Sequence, residues 1–599
     1  MISASGLRAV ALASSILLAG LPGVARAQAG ADWTSPAGSP EGTRYSTLTE
    51  ITAANVGTLV QDFSYQTGLK ASHEGQPLVV GSTLYLVTPY PNNLVALDLA
   101  NGGKVLWTFM PNPNTYARGV SCCDIVNRGA TYDKGVLFYN LLDASTVAVN
   151  AKTGKQIWRT SLGDPTTGET MTGAPIVVNG KVIVGNSGGE FGVRGWIQAL
   201  DAKTGAVIWK AYNTGPDADV LIGTSFKPFY PKDKGTNLGE TSWPHTLWQQ
   251  GGATSWGWLT YDPGLNILYH GTSNPGVWNP DMRPGDNKWA ATIFARNPDT
   301  GQALWADQLT PHDGWDFDAV NESIVADLKF PTATAKVLVQ FNKNGFAYTI
   351  DRVTGHILVA KSFGNVTWAT GVDVKTSLPA VVSSKRTHQG VLTTGICPTP
   401  LGVKDWQPSA FSPATNLFYV PTANLCDSYE ALKALYIAGT PFQGSDLGIM
   451  AGPGGNMGAL VAWNAVTGSA AWTVKEPLPV YSGVLATAGG IVFYGTLDKH
   501  FKAVNATTGD VLFNTTLECG VVSAPISFTA PDGHQRIAIM TGVGWLPGGF
   551  AGGPCPAGTN FGDASTGLGH AIAALHMPAA AGPPTTAPTS GVLHVFKLP

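Results

Sequence analysis

The sequence predicts an all-β chain, and one repeated motif predicts its architecture. Its 599 residues hold 73 Gly and 41 Pro with no long helical periodicity, the pattern of many short strands joined by turns. Within that pattern a unit recurs. Ala148-Val149-Asn150-Ala151-Lys152-Thr153-Gly154 leads to Trp158, and Ala199-Leu200-Asp201-Ala202-Lys203-Thr204-Gly205 leads to Trp209. Ala295 to Trp305 repeats it with Asn297 and Gly301, and Ala462 to Trp472 with Asn464 and Gly468. Weaker copies end at Val359 and Phe513, and one with an extra residue runs from Ala96 to Trp107. Each copy reads as strand, tight turn, strand. The Gly supplies positive φ and the closing side chain packs on a neighbouring unit. Seven copies, several about 50 residues apart, point to a radial array of four-stranded sheets, a β-propeller. Length alone suggests about four domains, but the repeats argue for one, over residues 28–599.

The first 27 residues read as a secretory signal. Arg8 is the only charge before Arg26, residues 9–21 are largely apolar, and Ala25-Arg26-Ala27 is a small-x-small cleavage site. That run is too short to span a bilayer, and no other run is long enough. The mature chain is expected to start near Gln28 and to be exported to the periplasm. The whole chain is 44% hydrophobic and 13% charged, with formal net charge −3 and no basic patch, so nucleic acid is not an expected partner. Near the C-terminus, residues 578–590 read as a surface loop. Residues 591–598 read as a final strand that closes the ring with the mature N-terminus.

Chemistry concentrates in Pro311-His312-Asp313-Gly314-Trp315-Asp316-Phe317-Asp318. On an extended segment Asp316 and Asp318 share a face. Adjacent carboxylates repel unless a cation or a shared proton intervenes. A hydrated acidic turn is the plainer alternative. Adjacent Cys122 and Cys123 stand in Ser121-Cys122-Cys123-Asp124-Ile125-Val126-Asn127-Arg128, where an exported protein can close a ring disulfide. No C-x-x-C-H occurs, so no haem c is expected.

These segments carry a resemblance. The repeat resembles the tryptophan-docking motif of quinoprotein alcohol and methanol dehydrogenases, eight-bladed propellers that bind pyrroloquinoline quinone (PQQ). Non-catalytic outer-membrane assembly propellers carry similar repeats. The Cys122-Cys123 segment resembles the quinone cap of that family, which implies a disulfide on one PQQ face and Arg128 on a PQQ carboxylate. His73-Glu74-Gly75-Gln76-Pro77 resembles the segment whose Glu contacts PQQ, and Thr172 stands at a PQQ-binding Thr. Asn186-Ser187-Gly188-Gly189-Glu190 resembles a loop in which Ser187, Gly188 and Gly189 offer donors to PQQ and Glu190 is a metal ligand. Trp256 matches the Trp stacked on the second PQQ face, and Asn274 the metal-ligating Asn. Residues 282–289 also match the family. Each has a plainer use: Glu74 as a turn acid, Trp256 as core, Asn274 as a turn former before Pro275.

The resemblance makes Asp316 the catalytic base, and makes Asp318 the extra acid of the lanthanide-dependent branch. Glu190, Asp316 and Asp318 then supply three negative charges and Asn274 a neutral oxygen. An added carboxylate favours a trivalent ion over Ca²⁺. Asp405 and Trp406 fall near a PQQ-proximal position, and Trp545 resembles a late active-site Trp. Two departures stand out. Lys343 replaces an Arg expected at the quinone, as in some alcohol-oxidising relatives, and Tyr481 stands near a usual Trp. The resemblance also implies a Cys397–Cys426 disulfide. We further pair Cys519 with Cys555, which the resemblance does not carry. The expected activity is oxidation of primary alcohols, with PQQ and a lanthanide ion, and a periplasmic cytochrome c as electron acceptor. A Ca²⁺-dependent alcohol or sugar dehydrogenase and a non-catalytic scaffold are the alternatives. The sequence leaves monomer and homodimer open.

Overall fold

The computed structural model describes residues 31–551, 553, 555, 556, 558, 559 and 589–599. The expected leader, the start at Gln28, most of the 578–590 loop and the side chain of Trp545 lie outside the described residues.

Eight sheets of four or five strands stand among the described residues, beside one three-stranded and one two-stranded sheet. The first runs Leu78–Val80, Thr83–Val87, Leu94–Asp98, Lys104–Phe109, each strand antiparallel to the next. Sheets two to seven follow the same plan, from Ala130–Asp133 through to Val511–Thr516. Tyr45–Ser46 adds a parallel strand to the seventh. Inner strands are apolar runs because neighbouring sheets cover both their faces: Leu94–Asp98 is buried but for its last residue. The outer strand Lys104–Phe109 is half exposed and alternates.

The turn between the third and fourth strands explains the repeat. Asn150 Oδ1 accepts from the N–H of Lys152 and Thr153 at 3.1 and 3.0 Å, and the Gly154 N–H closes the turn on Asn150 O at 2.9 Å. Gly154 has φ 68°, and a Cβ there would lie 2.7 Å from the Trp107 ring. Gly205 stands in the same relation to Trp158, with φ 74° and the same 2.7 Å. The contact continues from Trp209 to Gly301, Trp305 to Gly355 and Trp472 to Gly509, with Val359 under Gly468. A side chain on any of these glycines would strike the preceding sheet.

Seven copies serve eight sheets because the eighth has no such turn. Its strands run Ile526–Thr529, Gln535–Thr541, Val592–Lys597, Val60–Gln66. The last two pair antiparallel, Val60 opposite Lys597, yet belong to opposite ends of the chain. Phe63 from this outer strand packs on Gly103 of the first sheet, taking the place of the Trp.

Antiparallel pairing also places the chemistry. In each sheet the start of the first strand lies beside the end of the second, as Ile176 lies opposite Ile183. Segments entering a first strand and leaving a second therefore meet at one end of the sheet. In the sixth sheet the chain leaves after Leu417–Ala423 as a hairpin, Leu425–Ala431 and Ser445–Ala451, and returns at Gly458–Asn464. Leu392–Ile396 pairs with the hairpin, and a Cys397–Cys426 disulfide ties the two together. The structure also joins Cys519 to Cys555. No helix among the described residues is long and apolar enough to cross a membrane.

Candidate active site

One cavity gathers the segments that enter first strands and leave second strands. Ahead of first strands come Glu74, Cys122, Cys123, Arg128, Thr172, Trp256, Asp316, Asp318, Asp405 and Trp406; after second strands come Ser187, Gly188, Glu190 and Lys343. All line it. Gly189 and Asn274 are not in the wall; Asn274 lies behind the carboxylates, its N–H donating to Asp318 Oδ1 at 2.6 Å. The structure joins Cys122 to Cys123 in the wall. Val126, Leu401, Gln443, Leu447, Ile449 and Tyr481 are among the other residues that line it. Three of these lie on the sixth-sheet insertion, where no chemically distinctive residue pattern marks them.

The donors are held in pairs. Arg128 Nη1 donates to Thr172 Oγ1 at 2.8 Å, and Thr172 shares a 3.1 Å hydrogen bond with Ser187 Oγ. The Arg128 guanidinium also meets Glu74 Oε2 at 2.9 Å and lies 4.8 Å from the Trp256 ring and 5.1 Å from Trp406. The Lys343 ammonium sits between Asp316 Oδ2, at 2.8 Å, and Asp318 Oδ2, at 2.9 Å. The insertion closes over this end, its Phe442 N–H donating to Glu190 O at 2.6 Å.

Charge is unbalanced here. Glu74, Glu190, Asp316, Asp318 and Asp405 face only Arg128 and Lys343 among the lining residues. Burial pushes the Glu190 carboxyl up to about 7, with Asp318 adding to the push. Burial likewise raises Glu74 to about 7, Asp124 and Asp405 adding and Arg128 opposing. Asp316 is held well above the carboxylate range by burial, with Asp318 and Glu190 adding and Lys343 opposing. Burial works against the Lys343 ammonium, but Asp316, Asp318 and Asp405 outweigh it and hold the proton on.

The residues fit both groups that the sequence resemblance implies. Among the described residues no three acidic, imidazole or thiol side chains already converge as a metal cluster. Yet Asn274 Oδ1 and Asp316 Oδ1 are buried without a hydrogen-bond partner beside the crowded carboxylates. Such orphaned oxygens are costly unless a cation or donor meets them, and hard oxygens in this number suit a highly charged ion. For a flat polyanionic quinone, the Cys122–Cys123 disulfide and Trp256 offer apolar surfaces. Arg128, Thr172, Ser187 and Lys343 offer donors. Asp405 Oδ1 and the Tyr481 hydroxyl are likewise buried without partners.

The pocket wall is also tied to the ring closure. His73 precedes Glu74, and Gly591, before the closing strand, packs on its ring. Its Nδ1 meets Ala71 O at 2.9 Å and its Nε2 meets Thr67 Oγ1 at 2.9 Å. Burial pushes the imidazole down to about 4. The unfolded chain protonates His73 near 6.5, so between those values it binds more protons than the native state. Stability from this residue is therefore present above pH 6.5 and is lost as pH falls toward 4. The shift corresponds to about 3 kcal/mol. His73→Gln is expected to flatten the acid side of the Tm–pH curve by about one proton; equal slopes in both proteins would rule this out.

Comparison with known proteins agrees with the geometry. Residues 33–362 and 455–537 match the family model described as glucose/ethanol/alcohol dehydrogenase, beta-propeller domain, of the PQQ type. The chain is 46% identical over 561 residues to the lanthanide-dependent methanol dehydrogenase of Methylacidiphilum fumariolicum, covering 93% of this chain and 90% of that one. It is 40% identical over 533 residues to the methanol dehydrogenase [cytochrome c] subunit 1 of Methylobacterium organophilum, covering 86% and 85%. Its fold is similar to a solved europium-containing methanol dehydrogenase, with TM-score 0.89 and 45% identity over 95% of this chain and 98% of that one. The chain thus belongs to the PQQ-dependent alcohol dehydrogenase family of β-propellers.

Proposed function

We propose that this protein is an exported alcohol dehydrogenase that oxidises primary alcohols to aldehydes, using PQQ and a lanthanide ion, and passes the electrons to a cytochrome c. The observation that carries the reading is the buried Asp316–Asp318–Lys343 cluster with orphaned Asn274 and Asp316 oxygens beside it. The relatives named for lanthanide and cytochrome c point the same way. The eight sheets are taken as eight blades locked by tryptophan docking, and residues 1–27 as the leader that directs export.

In this reading Cys122–Cys123 and Trp256 cover the two faces of the quinone. Glu74, Arg128, Thr172, the Ser187–Gly189 loop, Asp405 and Trp406 would hold its edge. Glu190, Asn274, Asp316 and Asp318 hold the ion. Bound there, PQQ supplies the hydride acceptor, and the ion supplies the charge that polarises its carbonyl. Asp316 has Oδ2 engaged by Lys343 and Oδ1 without a partner; with the ion held on one of these oxygens, the other would be left to take the alcohol proton. Lys343 holds the two carboxylates together and screens their repulsion. The sixth-sheet insertion brings Leu447 and Ile449 over the pocket and limits water there.

The test is dye reduction by purified protein supplied with PQQ and La³⁺, singly and together, with primary alcohols. Activity is expected only with both. Activity with PQQ and Ca²⁺ alone would favour the calcium-type enzyme. No activity and no PQQ retained would favour a scaffold.

A further inference from the structure

Two buried residues outside the pocket wall brace the loops that carry the proposed ion ligands. Asp313 Oδ1 accepts from Trp315 N–H and Oδ2 from Phe317 N–H, each at 2.9 Å. Those residues alternate with Asp316 and Asp318. Trp315 and Phe317 turn inward, their rings 5.7 Å apart and both against Trp368. Gathering their N–H groups on the other side fixes the bend that sends Asp316, at φ 66°, and Asp318 into the pocket. The Arg283 guanidinium, 1% exposed, donates to Asp313 O, and its Nε donates to Val277 O at 2.5 Å. Nη1 donates to Asn287 Oδ1 at 2.8 Å and Nη2 to Trp278 O at 3.4 Å. Val277 and Trp278 continue the loop that begins at Asn274. One planar, rigid fork therefore ties the Asn274 loop of the fourth sheet to the Asp316–Asp318 loop that enters the fifth.

We propose that Arg283 and Asp313 are positioning residues that set the spacing between the Asn274 oxygen and the Asp316–Asp318 carboxylates, and so the ionic radius the site accepts. The proposal rests on the lanthanide reading above. Selection between ions of one charge and similar chemistry comes from cavity size and rigidity rather than ligand type. A braced ligand set favours one radius, whereas a loosened set adapts to each ion and binds all of them less selectively. Lys at 283 keeps the charge but lacks the fork. Asn at 313 keeps the shape but can accept only one of the two N–H groups.

The experiment titrates Eu³⁺ by its luminescence into PQQ-supplied wild type, Arg283→Lys and Asp313→Asn, and then displaces it with La³⁺ and with Lu³⁺ separately. Thermal unfolding is recorded for each protein. Wild type is expected to separate La³⁺ from Lu³⁺ by tenfold or more, roughly the scale of a 1.4 kcal/mol difference. In both variants that ratio is expected to collapse toward one, and the Eu³⁺ excited-state lifetime to shorten as water enters the looser shell. A uniform loss of affinity with the ratio kept would make these residues merely structural and overturn the proposal. So would a wild type that does not discriminate. Should Arg283→Lys fail to fold, the near-isosteric Asp313→Asn decides alone. A wild type that binds no lanthanide at all removes the lanthanide reading itself, an outcome distinct from the others.

Discussion

Replacing Asp316 by Asn is expected to lower alcohol oxidation by about two to four decades, the scale of a general base. Asn keeps the size and one carbonyl oxygen, so the pocket keeps its shape, although the proposed ion shell loses one negative charge. It cannot take a proton. Lys343 keeps Asp318 as its partner at 2.9 Å, so the substitution does not leave a buried ammonium alone. With PQQ and La³⁺ supplied at saturation, so that any loss of ion affinity is compensated, the loss should therefore fall on kcat. Rapid mixing with alcohol, followed by quinone absorbance, separates the chemical step from later electron transfer. Unchanged quinone reduction in Asp316→Asn would move the base elsewhere in the pocket.

Asp318→Asn is expected to act on the ion rather than on the proton. The amide oxygen can still accept the Asn274 N–H that Asp318 Oδ1 receives, so the loop keeps its hydrogen bond. One negative charge is lost. That loss costs a trivalent ion half as much again as a divalent one at the same distance, because attraction scales with charge. La³⁺ affinity should fall on the order of a hundredfold and by more than Ca²⁺ affinity, narrowing the preference. Competitive titration of the two ions measures this directly. An unchanged La³⁺ to Ca²⁺ ratio would reduce Asp318 to an acidic turn residue.

Much of this architecture was legible before any coordinates, for a physical reason. The turn glycines face the preceding sheet so closely that no side chain fits, so Gly and an aromatic partner recur at fixed spacing. The count of seven was also real, because the eighth sheet is stitched from both chain ends and has no turn to carry the motif. Cys122-Cys123 and Trp315-Asp316-Phe317-Asp318 stand out in the sequence by adjacent thiols and alternating acids, and the structure brings Cys122, Cys123, Asp316 and Asp318 to one cavity. The insertion that covers the pocket carries no such mark. Leu447 and Ile449 are ordinary strand residues, set over the site by the pairing of Ser445–Ala451 with Leu425–Ala431, which in turn pairs with Leu392–Ile396. Lys343 was expected at the quinone; the structure sets its ammonium against both carboxylates, a contact that joins segments 25 and 27 residues apart. Arg283 and Asp313 lay inside segments already singled out, but their hydrogen bonds run to backbone atoms, which sequence does not reveal.

In the proposed reading, this pocket holds a quinone beside a trivalent ion. This is tested most directly by dialysing the protein against PQQ with equal La³⁺ and Ca²⁺, then measuring both metals and PQQ per chain by mass spectrometry. One PQQ and one La³⁺ per chain are expected, with little Ca²⁺. Retention of Ca²⁺ in place of La³⁺, or of neither metal nor PQQ, would contradict this reading.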